Sequence, residues 1–299
     1  MKLLIPVESI VQNKGGVILY DPGKNKSLKE YIHNRKWRRV GWRGGIVYGD
    51  YIICTDWNHL HYFNWKEWKY EKSFTKNTFN DLHYLNIKGN KLFVVNTGID
   101  AIEVFRNPLD PSFKNIHLLF QKNKIFRNRK IDLDYAYNKQ YKIKPHSCHP
   151  NCVCFAGKRI LVTCFQKGQK PGTGEVITLD GKRMFKYPID CHDGIMYKND
   201  FYLTRTRHRS IVVYRRPHKK EFPLKKPNKL IKIGKKGWWR GMVINDDKIY
   251  VFCSDGYTKK KTTAKMFMFD MNTGDRKFKA LPKTNVFWDT IYQPNILEP

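Results

Sequence analysis

Short apolar runs broken by two-residue polar turns recur along the chain, and five segments follow one template. Each opens on a polar residue, continues through an apolar run to a turn, and returns as a strongly apolar run. They occupy residues 42–53, 82–93, 149–161, 191–202 and 239–250. The turns Gly49-Asp50, Gly89-Asn90, Gly157-Lys158, Asn199-Asp200 and Asp246-Asp247 are hairpin signals, and the flanking runs have strand length. A third apolar run follows at 101–105, 175–181, 210–214 and 266–270, and a more polar fourth at 183–187. Long helical periodicity is absent, so the pattern predicts an all-β chain.

Four short antiparallel strands recurring about every 40 to 50 residues predict a β-propeller. Five units are complete, and the chain ends supply a sixth. Phe287, Trp288 and Asp289 open a blade that the C-terminus cuts short, while residues 2–8 and 16–21 match a second and a third strand. The expectation is a six-bladed β-propeller spanning 1–299 as a single domain. Its sixth blade is built from 1–40 plus 285–299 and closed by pairing the N- and C-terminal strands. Closure removes two sheet edges that would otherwise invite aggregation. Pro6 inside a strand run conflicts mildly with this reading, since proline cannot donate to a ladder. A basic insertion at about 121–145 precedes the third blade.

Composition adds three constraints. Hydrophobic residues make up 41% and aromatics 14%, spread along the chain, which is enough for a substantial core. No apolar run reaches the ~18 residues a membrane span needs. Pro6 and Glu8 cut the N-terminal apolar stretch short of a secretory signal, so a cytoplasmic protein is expected. Seven cysteines without CxxC spacing, mostly inside apolar runs, read as reduced, buried small hydrophobes.

Charge is the loudest feature. Fifty-seven Lys and Arg against 26 Asp and Glu leave a net +31. The excess gathers at 24–39, 122–144, 205–236 and 259–261. Such a field attracts polyanions and anionic small molecules, nucleic acid included. Solubility, or a lysine-rich composition inherited from the genome, accounts for it equally simply.

Aligning the five repeats on their turns superposes Arg43, His83, Asn151, His192 and Arg240, with Asp289 as the sixth. The innermost strand of a blade lines the channel, so these side chains are expected to converge at one mouth. His149 lies two residues before Asn151, on the same strand face. Asp81, Asp190 and Asp193 flank the histidines and could orient their imidazoles. Two guanidinium forks and two or three imidazoles make an anion pocket in which a histidine can serve as acid, base or nucleophile. His83, His149 and His192 are therefore the candidate catalytic residues; Arg43, Arg240, Asn151, Asp289 and Asp193 are the candidate anion-binding ones. The same histidines could instead hold a metal ion, or simply plug the channel with hydrogen bonds.

Two of the segments carry a family likeness. His149-Pro150-Asn151 followed by Arg159-Ile160-Leu161-Val162-Thr163 resembles the H-x-N strand starts of arylsulfotransferase-type propellers. Asp190-Cys191-His192-Asp193-Gly194 followed by Phe201-Tyr202-Leu203-Thr204 resembles their H-D starts. That family is six-bladed and transfers a sulfuryl group through a channel histidine, with further histidines and an arginine holding the anion. The resemblance implies catalytic roles for His149 and His192 and a clamp at Arg43 or Arg240. Three classes of function stay open: an enzyme acting on a small sulfated, phosphorylated or carboxylated substrate, a module binding nucleic acid or another polyanion, and a structural component of a larger assembly. Trp37, Trp42, Trp65, Trp68 and Trp238 would be exposed for base stacking in the second.

Overall fold

The computed structural model of the chain describes residues 1–9, 14–33, 41–111, 113–118, 134–139, 148–165, 174–185, 191–224, 226–235, 237–254, 264–282, 290–291 and 293–297. In chain order the first strands are β1 (Lys2–Ser9), β2 (Lys14–Asp21) and β3 (Lys26–His33). The first complete blade follows as β4 (Gly45–Tyr48), β5 (Tyr51–Thr55), β6 (Leu60–Asn64) and β7 (Lys69–Phe74). The second is β8 (Leu82–Lys88), β9 (Lys91–Asn96), β10 (Ala101–Phe105) and β11 (Phe113–Leu118). The third has β12 (Pro150–Ala156), β13 (Arg159–Phe165) and β14 (Gly174–Thr178). The fourth is β15 (Gly194–Tyr197), β16 (Asp200–Arg205), β17 (Ser210–Arg215) and β18 (Lys229–Lys232). The fifth is β19 (Trp238–Asn245), β20 (Lys248–Ser254), β21 (Lys265–Asp270) and β22 (Arg276–Ala280), and the chain closes with β23 (Thr290–Ile291) and β24 (Asn295–Leu297).

These strands form six antiparallel sheets, each built from sequence neighbours except the one that joins the chain ends. The protein is a six-bladed β-propeller. Of the fourth strand expected in the third blade at 183–187, the described residues 183–185 form single bridges, Arg183 to Ile177 and Phe185 to Leu224. The basic insertion lies largely outside the described residues, as do Trp37, Asp190 and Asp289.

The chain divides into two compact units, residues 1–73 with 235–299, and residues 74–234. In the first, β1 alternates in the way a strand sandwiched between two blades must. Leu3, Ile5 and Val7 pack with Val243, Tyr250, Phe252 and Met266 of the fifth blade. Leu4 faces the other way, toward Trp42, Ile52, Cys54 and Phe63. In the second unit, Tyr84, Phe93 and Val95 meet Val153 and Val162. Cys154, Leu161 and Val176 meet Phe201, Leu203 and Val212 in the same way. The middle strands are the most apolar in sequence because both their faces are covered.

At the closure, β23 pairs with Val7 and Glu8, and β24 pairs with Lys2, Leu3 and Leu4. Pro6 is accommodated within β1, opposite Val17 of β2. Gly241 is bound to the same closure, because its φ is +70° and an added Cβ would sit 2.9 Å from the Ile291 carbonyl oxygen. All seven cysteines are free and buried. Burial pushes the thiols of Cys54, Cys148, Cys152, Cys154 and Cys164 up, which suits a packing role. No helix among the described residues is long and apolar enough to cross a membrane.

Removing residues 290–299 strips β1 of both inner partners and uncovers the core around Ile291 and Leu297, which are 0% and 7% exposed. The truncated chain is expected to melt at least ~10 °C below the full chain, from two lost core side chains at ~2–5 kcal/mol each plus an open edge. An unchanged melting temperature by calorimetry or circular dichroism would show that the closing strands do not hold the fold.

Candidate functional site

In the five blades formed by consecutive strands the inner strand begins with a bulge, and the bulge is what presents the polar residues. In the first blade the Arg43 N–H donates to the Thr55 carbonyl at 2.7 Å, while the Thr55 N–H donates to the Gly44 carbonyl at 2.9 Å. The fourth blade repeats the arrangement: His192 N–H to Thr204 O at 3.2 Å, Thr204 N–H to Asp193 O at 3.0 Å. Two residues thus oppose one threonine, whose hydroxyl also accepts the N–H of Gly44 or Asp193 at 2.9 Å. In the second and third blades the register breaks at His83 and Asn151, and in the fifth between Arg240 and Met242. The fourth turn is Lys198-Asn199 rather than Asn199-Asp200. Counted to Gly49, Gly89, Gly157, Lys198 and Asp246, all five polar positions stand six residues before their turn, but His83 and Asn151 are the second bulge residue where Arg43, His192 and Arg240 are the first. The bulge shifts by one residue between blades.

The candidate residues divide between the two units. Arg43 and Arg240 belong to the first, and His83, His149, Asn151, His192 and Asp193 to the second. All of these except His149 are buried, and His149 is partly so. Arg43 is not an empty clamp. Its Nε lies 3.2 Å from Glu8 Oε2 and its Nη2 3.3 Å from Glu8 Oε1, and the guanidinium stands 5.8 Å from the Trp57 ring centroid. An anionic ligand at Arg43 would have to displace the Glu8 carboxylate.

In the second unit His83 and His149 meet edge to face, with ring centroids 5.2 Å apart. His83 Nε2 lies 3.5 Å from Asp81 Oδ1. His149 also stands 6.2 Å from Phe165, and the guanidinium of Arg207 lies over that same ring at 5.2 Å. Arg207 was not among the residues the repeat alignment selected, because it sits in the loop after β16 rather than on an inner strand. Asp100 sets the approach of His149: its two carboxylate oxygens accept the backbone N–H groups of Cys148 and His149 at 3.0 and 2.9 Å. With those bonds in place His149 holds a left-handed backbone, φ +49°. His192 is braced separately, its Nδ1 2.9 Å from Asp193 Oδ1. Asp193 Oδ2 in turn accepts the Thr204 hydroxyl at 3.2 Å. A carboxylate on Nδ1 fixes the ring and its tautomer, and leaves Nε2 as the nitrogen suited to proton transfer or attack.

A basic cavity of about 350 Å³ opens in the fourth blade, lined by Arg205, Arg207, His208, Arg209 and Lys232 among others. Among the described residues, none of the tryptophans expected to be exposed is so. Trp42 is fully buried in the first unit, and Trp65, Trp68 and Trp238 are partly buried. Trp42 packs against His61 at 5.1 Å with the rings 20° from parallel. His61 belongs to a cluster with Asp56 and His59 that also escaped the alignment, although the spacing Asp-x-x-His-x-His within one hairpin was visible.

No family model matches the chain, and no curated protein matches it. Solved structures do. A protein of unknown function from Bacteroides caccae has a TM-score of 0.64 at 10% identity, with 98% of this chain and 97% of that one covered. A chain of a nidogen/laminin complex has a TM-score of 0.60 at 10% identity, again with 98% and 97% coverage. Likeness at this identity carries the fold and nothing more.

Asp100 is the support on which the geometry of His149 rests. Asp100→Ala leaves two buried N–H donors without an acceptor and is expected to cost about 2–4 kcal/mol in chemical denaturation. A loss below ~0.5 kcal/mol would mean that the bulge holds His149 unaided.

Proposed function

We propose that the protein is an anion-handling propeller, taking a small sulfated, phosphorylated or carboxylated compound at the histidines of the second unit. The observation that carries this reading is the chain of contacts His83–His149–Phe165–Arg207, in which the Phe165 ring links a pair of imidazoles to a guanidinium. A guanidinium offers an oxyanion a bidentate fork, and imidazoles add charge-assisted hydrogen bonds. In this assignment His83, His149 and Arg207 hold the anion. His192, oriented by Asp193, is the proton-transferring or nucleophilic group where the bound compound reacts. Asn151 offers a neutral amide to the same strand start. The net +31 raises the local concentration of any anion at the protein surface.

The test is calorimetric titration with sulfate, phosphate and an aryl sulfate ester. His149→Ala and Arg207→Lys are each expected to weaken binding about 10- to 100-fold with little change in melting temperature, since each removes a charge-assisted contact and little apolar packing. Equal affinity in the wild type and both variants would end the reading.

A second reading, retention of a polyanion such as nucleic acid, is favoured by the arginine-lined cavity after β16. It predicts elution from heparin that moves steeply with salt, and a salt slope reduced by about one for each of Arg209→Ala and Lys232→Ala. Failure to bind heparin at about 50 mM salt removes this reading.

A further inference from the structure

The turn between β5 and β6 carries a group of side chains that the anion reading does not use. Asp56 opens the four-residue connection, His59 closes it, and His61 is the second residue of β6. His59 and His61 are two apart, so they fall on one face of the extended chain. Asp56 is folded back over them. Its Oδ1 accepts the N–H groups of Asn58 and His59 at 2.9 and 2.7 Å, a local turn that fixes the carboxylate. Oδ1 then lies 3.3 Å from His59 Nδ1, and Oδ2 lies 2.9 Å from His61 Nε2. One ligand atom from each residue lies within 4.8 Å of the other two.

We propose that Asp56, His59 and His61 bind a divalent first-row transition-metal ion, with Zn²⁺ the best fit. Ligands about 2.0 Å from a tetrahedral ion are about 3.3 Å from one another, close to the separations found here. Two imidazoles and a carboxylate are a donor set of intermediate softness, suited to Zn²⁺ or Fe²⁺ rather than to Ca²⁺ or Mg²⁺. The surroundings supply what such ligands need. His61 Nδ1 lies 3.4 Å from the Tyr70 hydroxyl, so the nitrogen turned away from the ion has its own partner. Trp42 lies nearly parallel to the His61 ring and pins it. His61 is fully buried and Asp56 nearly so, whereas the His59 side chain is 22% exposed, which leaves an entry path and room for a water as fourth ligand. The imidazole nitrogens and the carboxylate oxygens already face one another within 3.3 Å, so the same side chains need not move far to take an ion between them.

The full chain without a polyhistidine tag, stripped with a chelator, is titrated with Zn²⁺ and separately with Co²⁺. One ion per chain is expected, with visible ligand-field bands for Co²⁺. Zn²⁺ at a hundredfold excess over its Kd should raise the melting temperature by about 4 °C. His59→Ala, partly exposed and so expected to keep the fold by circular dichroism, should lose at least ~100-fold in affinity, and Tyr70→Phe about 10-fold. Wild-type protein that takes up no ion overturns the proposal. So does affinity unchanged in His59→Ala, or lost instead in His149→Ala, which would move the metal to the histidines of the second unit. Because His59 and His149 lie in different units, the anion titration and the metal titration fail independently.

Discussion

A β-sheet edge has to be paired, covered or charged, and a repeating all-β chain has two such edges left over at its ends. Here the inner edge of β1 is covered only by β23 and β24, delivered from the far end of the chain. The core depends on this pairing, because β1 contributes apolar side chains in both directions, Leu3, Ile5 and Val7 one way and Leu4 the other. Gly241 is held to the same seam by the Ile291 carbonyl. The seam is thus fixed by backbone constraints rather than by any specific side-chain chemistry.

The blades were legible because both faces of a middle strand are covered, which forces apolar runs such as residues 52–54, 92–95 and 249–253, and because a two-residue hairpin needs residues tolerant of left-handed backbone. Lys198, Asn199, Asp246 and Asp247 adopt that backbone without being glycine. In the third blade the described part of the expected outer strand, residues 183–185, forms single bridges. The fourth turn lies one residue earlier than its Asn-Asp signal suggested, because Lys198 takes the left-handed backbone as readily as Asn199. Which of two bulge residues each polar position would occupy was not legible, because a bulge is chosen by hydrogen bonds to the opposing strand and leaves no periodic mark.

The candidate site was legible in part for the same reason. Counting from the hairpin turn selects side chains on the inner strand: Arg43, His83, Asn151, His192 and Arg240. It is blind to what answers them from elsewhere in the chain, Glu8 of β1 for Arg43 and Arg207 over the Phe165 ring that His149 also meets. Trp42 illustrates the point differently: the polyanion reading expected it to be exposed, whereas stacking on His61 and contact with Phe63 place it in the core. A tryptophan beside a charge is decided by what lies on the neighbouring blade.

In the first, second and fourth blades the connection from the second to the third strand has one length and differs in chemistry. Thr55 pairs with Leu60, Asn96 with Ala101 and Arg205 with Ser210, so each encloses four residues: 56–59, 97–100 and 206–209. A fixed length gives a fixed backbone frame, and the repeat then varies only the side chains it displays. In the first blade the acid comes first, folds back on its own loop and faces two imidazoles. In the second it comes last, in a left-handed conformation, and reaches across to grip the backbone entering the third blade at His149. In the fourth both roles are absent, and Arg207, His208 and Arg209 turn the same frame into the wall of a basic cavity. The inner strands supply a rigid and largely buried floor, while a short loop of constant length can exchange a carboxylate for a guanidinium without disturbing any ladder. That division of labour lets one repeated scaffold present a carboxylate facing two imidazoles on one blade and a row of guanidinium groups on another.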